Sequence, residues 1–207
     1  MFRVKLCGFT REKDVREAVR LGIDAVGFQM SRGPRKISPG RARRLTRLLP
    51  PWSTPVGVFV DEPLARVNRL VASCGFQAVQ LHGKETPSYA GGVSVPVIRA
   101  VRVRADLDPR GFGAYSVAAF LLDRYNPRLS GGTGEVFPWK WAGKARALPA
   151  PFLLAGGLHP GNVVRAVRAC RPFGVDAASG VESSPGVKDA RKMADFVKRA
   201  RSVLTGP

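Results

Sequence analysis

The sequence predicts an α/β protein in which residues 1–207 form a single (β/α)8 barrel domain. Three observations predict this fold. Short apolar runs alternate with amphipathic segments, and eight such strand–helix units follow one another without a linker or low-complexity stretch. The runs are apolar along their whole length, which is typical of parallel strands covered on both faces. No G-x-G-x-x-G follows the first strand, so an open doubly wound sheet is the second choice.

The first half of the chain contains four apolar runs that end at turn residues. Strands are predicted at 2–6, 25–30, 56–60 and 78–81, with helices at 11–21, 39–49 and 63–74. Thr10 and Ser38 are predicted to cap the first two helices, because a hydroxyl oxygen accepts hydrogen bonds from the unpaired first-turn amides. Pro39 suits a first helical turn, where its missing N–H removes no helical hydrogen bond. The segment after the fourth strand, 86–92, is short and has no helical period.

The second half repeats the pattern less regularly. Strands are predicted at 95–101, 118–122, 152–155 and 173–176, with helices at 139–148, 160–170 and 189–204. The segment 106–115 contains Pro109 and several turn residues, and a long loop with several glycines covers 124–138. We therefore expect the helices after strands four and five to be short or irregular.

Basic residues dominate the charge of the chain. It contains 34 Lys and Arg against 15 Asp and Glu, a net charge of +19. Such a charge suits either a nucleic-acid partner or an enzyme for anionic substrates. The basic residues are scattered over several predicted helices, and no RNP-like motif, helix-turn-helix pattern or basic tail accompanies them. A basic nucleic-acid-binding barrel is therefore the weaker hypothesis.

The cysteines and the hydropathy pattern restrict the compartment and the cofactors. Cys7, Cys74 and Cys170 lie far apart and form no C-x-x-C, which predicts free thiols and argues against a disulfide framework or a zinc site. No apolar run reaches the roughly 18 residues of a membrane span. The amino terminus lacks the regions of a secretory signal. We expect a cytoplasmic protein with no membrane partner.

In a (β/α)8 barrel the chemistry lies at the carboxyl ends of the strands. The residues predicted at those ends are Cys7, the loop 32–35, Asp61, His82, Arg99, Asp123, Gly156, Gly157 and the segment 176–182. Glycine pairs leave backbone N–H groups accessible to an anion. Gly156 and Gly157 end strand seven, and Ser179 and Gly180 follow strand eight, so we expect a phosphate group between these two loops.

Cys7 and Asp123 are the candidate acid–base pair. A thiolate can take a proton from carbon, and a carboxylic acid can give one to oxygen. No His or Ser partner accompanies Cys7 in the sequence, so proton transfer is favoured over acyl transfer. A structural role is favoured for His82, and Asp176 is left open between substrate and loop backbone.

These residues lie in motifs that resemble the phosphoribosylanthranilate isomerase family of tryptophan biosynthesis. The resemblance covers nearly the whole chain. The matching segments are 4–10, 24–28, 56–60, 79–83, 122–123, 131–134 with Phe137 and Trp139, 155–158 with Pro160 and Asn162, and 175–176 followed by 179–182. The ordered set, at the right barrel positions, is far more specific than any single fragment.

The resemblance implies an Amadori rearrangement of N-(5'-phosphoribosyl)anthranilate to 1-(2-carboxyphenylamino)-1-deoxyribulose 5-phosphate. Cys7 would be the general base and Asp123 the general acid, and Arg35 would face the anthranilate carboxylate. The phosphate would be bound by Gly156, Gly157, Ser179 and Gly180. No cofactor or metal is implied, and the partner is this small phosphorylated substrate.

One departure and two alternatives accompany the resemblance. The family usually carries two serines before the glycine of the eighth loop, whereas this chain has Ala178 and Ser179, so one hydroxyl contact to the phosphate is in doubt. The related aminoaldose isomerase of histidine biosynthesis uses two aspartates, and Cys7 argues against that alternative. Both a monomer and a homodimer are compatible with the sequence.

Overall fold

A computed structural model describes residues 2–103, 108–124 and 142–203. Eight parallel strands close into one barrel in sequence order, which confirms the predicted (β/α)8 fold. The strands are β1 (Arg3–Cys7), β2 (Ala25–Gln29), β3 (Thr54–Phe59), β4 (Ala78–Leu81), β5 (Val97–Val103), β6 (Ala119–Arg124), β7 (Phe152–Leu154) and β8 (Gly174–Ala177). Pairing of β1 with β8, for example Val4 with Val175, closes the barrel.

Helices connect the strands around the barrel. They are α1 (Glu12–Arg20), α2 (Pro39–Thr46), α3 (Leu64–Cys74), α4 (Pro87–Gly91), α5 (Ala142–Ala145), α6 (Val163–Cys170) and α7 (Ala190–Ser202). After β4 the helix has only 5 residues, and after β5 the described residues form a 3-10 turn, Pro109–Phe112. The expectation of short or irregular helices after strands four and five is thus confirmed.

Side chains alternate between two apolar layers along the strands. On β1, Val4 and Leu6 are fully buried in the large layer between the strands and the helices. A second, smaller cluster fills the barrel interior with side chains from three neighbouring strands or their ends, including Ala100, Leu121, Leu153 and Ala155. Because both faces are covered, the strands are apolar along their length.

Some element boundaries differ from the predictions. β1 ends at Cys7, so the thiol belongs to the strand instead of following it. Ser38 caps α2 as predicted. The prediction that Thr10 caps α1 is wrong, because the N-cap residue is Arg11 and no side chain caps this helix. The Thr10 hydroxyl donates instead to the carbonyl oxygen of Gly186 at 2.5 Å. The loop after β1 packs against a late segment of the chain, and that long-range contact outweighs the local capping preference.

That late segment is an antiparallel hairpin, β9 (Glu182–Ser184) and β10 (Val187–Lys188), which follows a 3-10 turn at Ser179–Val181. The sequence patterns did not predict it. The hairpin is separate from the barrel sheet. It nevertheless buries the charged side chains of Glu182 and Lys188.

Part of the second half lies outside the described residues. The loop predicted at 124–138 and the start of the helix predicted at 139–148 fall mainly in 125–141, which the structure does not describe. Within the described ranges, no helix combines the length and apolar character needed to cross a membrane.

Candidate active site

Cys7 is the last residue of β1, at the carboxyl mouth of the barrel, and only 5% of it is exposed. Its partner on β2 is Gly27, and a Cβ added to Gly27 would lie 2.7 Å from the Cys7 sulfur. The missing side chain therefore provides the space that the sulfur fills. Gly8 follows with a φ of 86°, a left-handed conformation that favours glycine where the chain leaves the strand.

Gly27→Ala is expected to lower the free energy of unfolding by about 1–3 kcal/mol, the usual cost of overpacking. The added methyl group cannot remain 2.7 Å from the Cys7 sulfur. Urea denaturation measures the change. Gly40→Ala is the matched control, because a Cβ at that position on α2 meets nothing within 4 Å. The double variant Gly27→Ala/Cys7→Ala should recover much of the loss, and strictly additive effects would contradict the contact.

A buried ion pair lies beside Cys7 in the barrel interior. Lys5, on the same side of β1 as Cys7, donates from Nζ to Oδ2 of Asp176 at 2.9 Å, and the two side chains are 2% and 8% exposed. Burial opposes the charge on Lys5, but Asp176 and Cys7 outweigh that effect and raise the Lys5 pKa. The ammonium is therefore charged. Oδ1 of Asp176 is buried and has no hydrogen-bond partner among the described residues.

The charge state of Cys7 is set by groups from four segments. Burial raises the pKa of the Cys7 thiol, and the charge of Asp176 raises it further. Three cations oppose this increase: Lys5 on β1, Lys188 on β10 and Arg35 in the loop after β2. The thiol is therefore mainly protonated at neutral pH, and the thiolate fraction increases as the pH rises.

Asp123 brings a carboxyl group to the same mouth, near the end of β6. Nε2 of His82 lies 3.2 Å from Oδ2 of Asp123, and Nε2 of Gln80 lies 3.0 Å from Nδ1 of His82. Burial is the main cause that raises the pKa of Asp176, and the charge of Asp123 raises it further. Asp176 is therefore within electrostatic range of both Cys7 and Asp123. His82 belongs to this site through its contact with Asp123, which the favoured structural role did not include.

Arg35 lies in the loop after β2, and its side chain is 11% exposed. Its Nε donates to both carboxylate oxygens of Glu182, at 2.9 and 3.1 Å, and its Nη2 donates to Oε2 at 2.6 Å. Hydrogen bonding to Glu182 raises the pKa of Arg35. A Cβ on Gly8 would overlap the Arg35 side chain, so the guanidinium group is held close to the end of β1.

Gly156 and Gly157 form the turn after β7, with φ values of 82° and 73° that favour glycine. Asn162 fixes this turn, because its Nδ2 donates to the carbonyl oxygen of Gly157 at 3.0 Å. Its Oδ1 accepts from the backbone N–H of His159 at 2.9 Å. The same residue thus fixes the turn and the loop that leads into α6.

The loops after β7 and β8 are in direct contact. A Cβ on Gly180 would overlap the backbone carbonyl of Leu158, so the approach requires glycine. A cavity of about 670 Å³ lies between these loops and the start of α7. Its lining includes Gly157, Ser179, Gly180, Arg191 and Lys192. Backbone amides, a hydroxyl group and two cations suit a phosphate group. Gly156 precedes this lining in the same turn.

Several other residues predicted at strand ends do not join the site. Arg99 lies within β5 and bonds Glu85 at 3.2 Å. Oδ1 of Asp61 accepts a backbone hydrogen bond at 2.6 Å. Cys74 and Cys170 are 1% exposed on α3 and α6, and burial raises the pKa of Cys170 to about 11. These cysteines are free thiols, as predicted, and they pack in the core. In the part of the chain that the structure describes, no group of three or more His, Cys, Asp and Glu residues could hold a metal ion.

The closed barrel, with a thiol and carboxyl groups at its carboxyl mouth, defines the class of the protein as a (β/α)8-barrel enzyme suited to acid–base chemistry. The family model described as N-(5'phosphoribosyl)anthranilate (PRA) isomerase matches residues 4–199. The chain belongs to this isomerase family, and the resemblance inferred from its motifs is confirmed.

Individual relatives agree with this assignment. The N-(5'-phosphoribosyl)anthranilate isomerase of Geobacter sp. (strain M21) is 46% identical over 204 residues, which cover 98% of this chain and 100% of the relative. A phosphoribosyl anthranilate isomerase solved with reduced 1-(o-carboxyphenylamino)-1-deoxyribulose 5-phosphate is 36% identical, with a TM-score of 0.87 and coverage of 98% and 100%. A dimeric isomerase from Thermotoga maritima, solved as monomers, is 33% identical, with a TM-score of 0.83 and the same coverage.

Proposed function

We propose that the protein converts N-(5'-phosphoribosyl)anthranilate to 1-(2-carboxyphenylamino)-1-deoxyribulose 5-phosphate in tryptophan biosynthesis. One observation carries the proposal: Cys7 and Asp123 both lie at the carboxyl ends of strands, β1 and β6, and these ends surround the same barrel mouth. The reaction needs an acid for an oxygen and a base for a carbon, and these two groups supply them.

In the first step Asp123, in its protonated form, gives a proton to the furanose ring oxygen. The bond between C1 and the ring oxygen breaks, and the nitrogen lone pair forms a Schiff base with C1. The contact of 3.2 Å between His82 Nε2 and Asp123 Oδ2 orients the carboxyl group for this transfer.

In the second step the thiolate of Cys7 removes the proton from C2. The electron pair of the broken C–H bond gives an enolamine, which tautomerises to the ketone. Lys5, Lys188 and Arg35 favour the thiolate over the thiol, against the effect of burial on the pKa of Cys7. The cations therefore limit the increase in the pKa of Cys7, which still lies above its ordinary value.

Binding of the substrate uses both ends of the mouth. Arg35 would face the anthranilate carboxylate, held in position by Glu182. Gly156, Gly157, Ser179 and Gly180 would bind the phosphate through the loops after β7 and β8. Arg191 and Lys192 in the cavity lining offer positive charge that partly offsets the hydroxyl group missing at Ala178.

The reaction is an internal oxidation and reduction, since C2 becomes a ketone while C1 becomes a methylene group. The enzyme is therefore an intramolecular oxidoreductase of the aldose–ketose type, and the proposed chemistry needs no cofactor or metal. We also propose a cytoplasmic location, which suits three free thiols, and a monomer or homodimer with no nucleic-acid partner.

The test is the disappearance of phosphoribosylanthranilate fluorescence when the purified protein is added. We expect a rapid, catalytic decrease. The aminoaldose substrate of histidine biosynthesis is assayed in parallel, and its conversion without any loss of phosphoribosylanthranilate fluorescence would replace the proposed function. Tight, salt-sensitive binding of RNA by a protein that converts neither substrate would instead support the nucleic-acid hypothesis.

A further inference from the structure

We propose that Lys188 is a positioning residue that holds the Cys7 end of β1 and the phosphate loop in fixed relation through one buried ammonium group. The inference rests on the proposed function, because it concerns the relative placement of the base and the phosphate. Lys188 lies on β10 of the carboxyl-terminal hairpin, and its side chain is 0% exposed.

The ammonium group of Lys188 has three acceptors. Its Nζ donates to the carbonyl oxygen of Cys7 at 2.5 Å, to the carbonyl oxygen of Ala178 at 3.2 Å and to Oε1 of Glu182 at 2.8 Å. An ammonium group has three N–H donors, so all of them are used. The Phe9 ring, whose centroid is 5.2 Å from Nζ, covers the same cation.

Each acceptor belongs to a different part of the active site. The Cys7 carbonyl is the end of β1, directly attached to the residue that carries the thiol. The Ala178 carbonyl belongs to the residue immediately before Ser179 and Gly180. Glu182 is the carboxylate that holds Arg35. One cation thus connects the base, the phosphate loop and the arginine proposed for the anthranilate carboxylate.

The backbone of Lys188 is itself held in place. Its N–H donates to Oδ2 of Asp14 at 3.1 Å, and its carbonyl oxygen accepts from Nη2 of Arg11 at 3.2 Å. Arg11 and Asp14 bind each other at 2.8 Å beside the start of α1. The lysine is therefore attached to the barrel at both its backbone and its side chain, as a positioning role requires.

Burial of a charge is costly without full pairing, and Lys188 is fully paired. Burial lowers the pKa of Lys188, whereas Glu182 opposes this decrease. The structure records no contact between Lys188 and the Cys7 sulfur. Lys188 therefore positions the thiol through the carbonyl group of Cys7. Its charge also favours the thiolate of Cys7, alongside Lys5 and Arg35 and against Asp176.

The test uses Lys188→Met and Lys188→Arg, with Lys198→Met on the exposed side of α7 as the control. Two readouts are taken from each. The first is kcat/KM for phosphoribosylanthranilate. The second is the pH dependence of iodoacetamide alkylation at Cys7, followed by mass spectrometry, which requires no substrate.

Lys188→Met should reduce kcat/KM by about 10²-fold, as a displacement of roughly 1 Å does, and should move the alkylation midpoint to higher pH. Lys188→Arg keeps the charge but not the three-acceptor geometry, so its midpoint should stay near wild type while kcat/KM falls.

Two results would overturn the inference. One is a folded Lys188→Met with wild-type kcat/KM and a wild-type alkylation midpoint. The other is Lys188→Arg with wild-type kcat/KM, which would mean that only the charge matters and not the three-acceptor geometry. If Lys188→Met does not fold, Lys188→Arg decides. A wild-type protein that leaves phosphoribosylanthranilate unchanged refutes the proposed function, and the alkylation midpoints still separate the variants.

Discussion

Replacing Cys7 with alanine is expected to lower kcat by about 10²- to 10⁴-fold, the usual contribution of a positioned acid or base. The variant lacks the acceptor for the C2 proton. Cys74 and Cys170 cannot substitute, because both are buried on α3 and α6. Turnover is measured from the loss of phosphoribosylanthranilate fluorescence at saturating substrate.

Cys74→Ala is the matched control for this variant, since it removes a buried thiol outside the mouth and should leave kcat unchanged. Circular dichroism and urea denaturation establish that Cys7→Ala is folded. A folded Cys7→Ala with turnover close to wild type would remove the thiol from the mechanism. Loss of activity in both variants would point to a stability effect instead.

The same thiol predicts the pH dependence of its own reactivity. Burial raises the pKa of Cys7 above its ordinary value, and only the thiolate is nucleophilic. We expect the rate of Cys7 alkylation by iodoacetamide to increase about tenfold per pH unit below that pKa and to level off above it. An alkylation rate that is flat from neutral to alkaline pH would contradict the raised pKa of the thiol.

Asp123→Asn is expected to lower kcat by about 10²- to 10⁴-fold as well, because an amide cannot deliver the proton that opens the furanose ring. The asparagine keeps the size of the side chain and can still bond His82. The free energy of unfolding should therefore change by only about 1 kcal/mol. Steady-state kinetics and urea denaturation measure the two quantities on the same preparation.

Asp108→Asn is a suitable control for Asp123→Asn. Asp108 carries a half-exposed carboxylate at a 3-10 turn, where it bonds Arg110. This variant should keep wild-type kinetics. Normal turnover of Asp123→Asn would mean that another group opens the ring.

Much of the barrel and its mouth could be predicted from the sequence because strong local signals mark them. The run 78–81 is bounded by turn residues and coincides with β4. Ser38 and Pro39 give α2 an unambiguous start. The position of Cys7 and Asp123 at one mouth follows from chain order alone, since parallel strands in a closed barrel all end at the same mouth.

The groups that surround Cys7 could not be predicted in the same way, because their partners are distant in the chain. Lys5 is a charge between the apolar residues Val4 and Leu6 of β1, which signals an inward-facing partner, but nothing local identifies Asp176. Pro185 and Gly186 mark a turn, yet the flanking strands are only 3 and 2 residues long. The prediction of Thr10 as a helix cap fails for the same reason: its hydroxyl donates to Gly186, in the turn of that distant hairpin.

The closure of β1 on β8 also determines when the enzyme matures. Lys5 and Asp176 are separated by 171 positions, and the ribosome releases β1 long before β8 and the hairpin exist. Until then Cys7 is a solvated thiol with ordinary susceptibility to oxidation. Completion of the last strand and hairpin withdraws the sulfur from solvent, so we expect the nascent chain to expose this thiol to oxidants more than the finished barrel does.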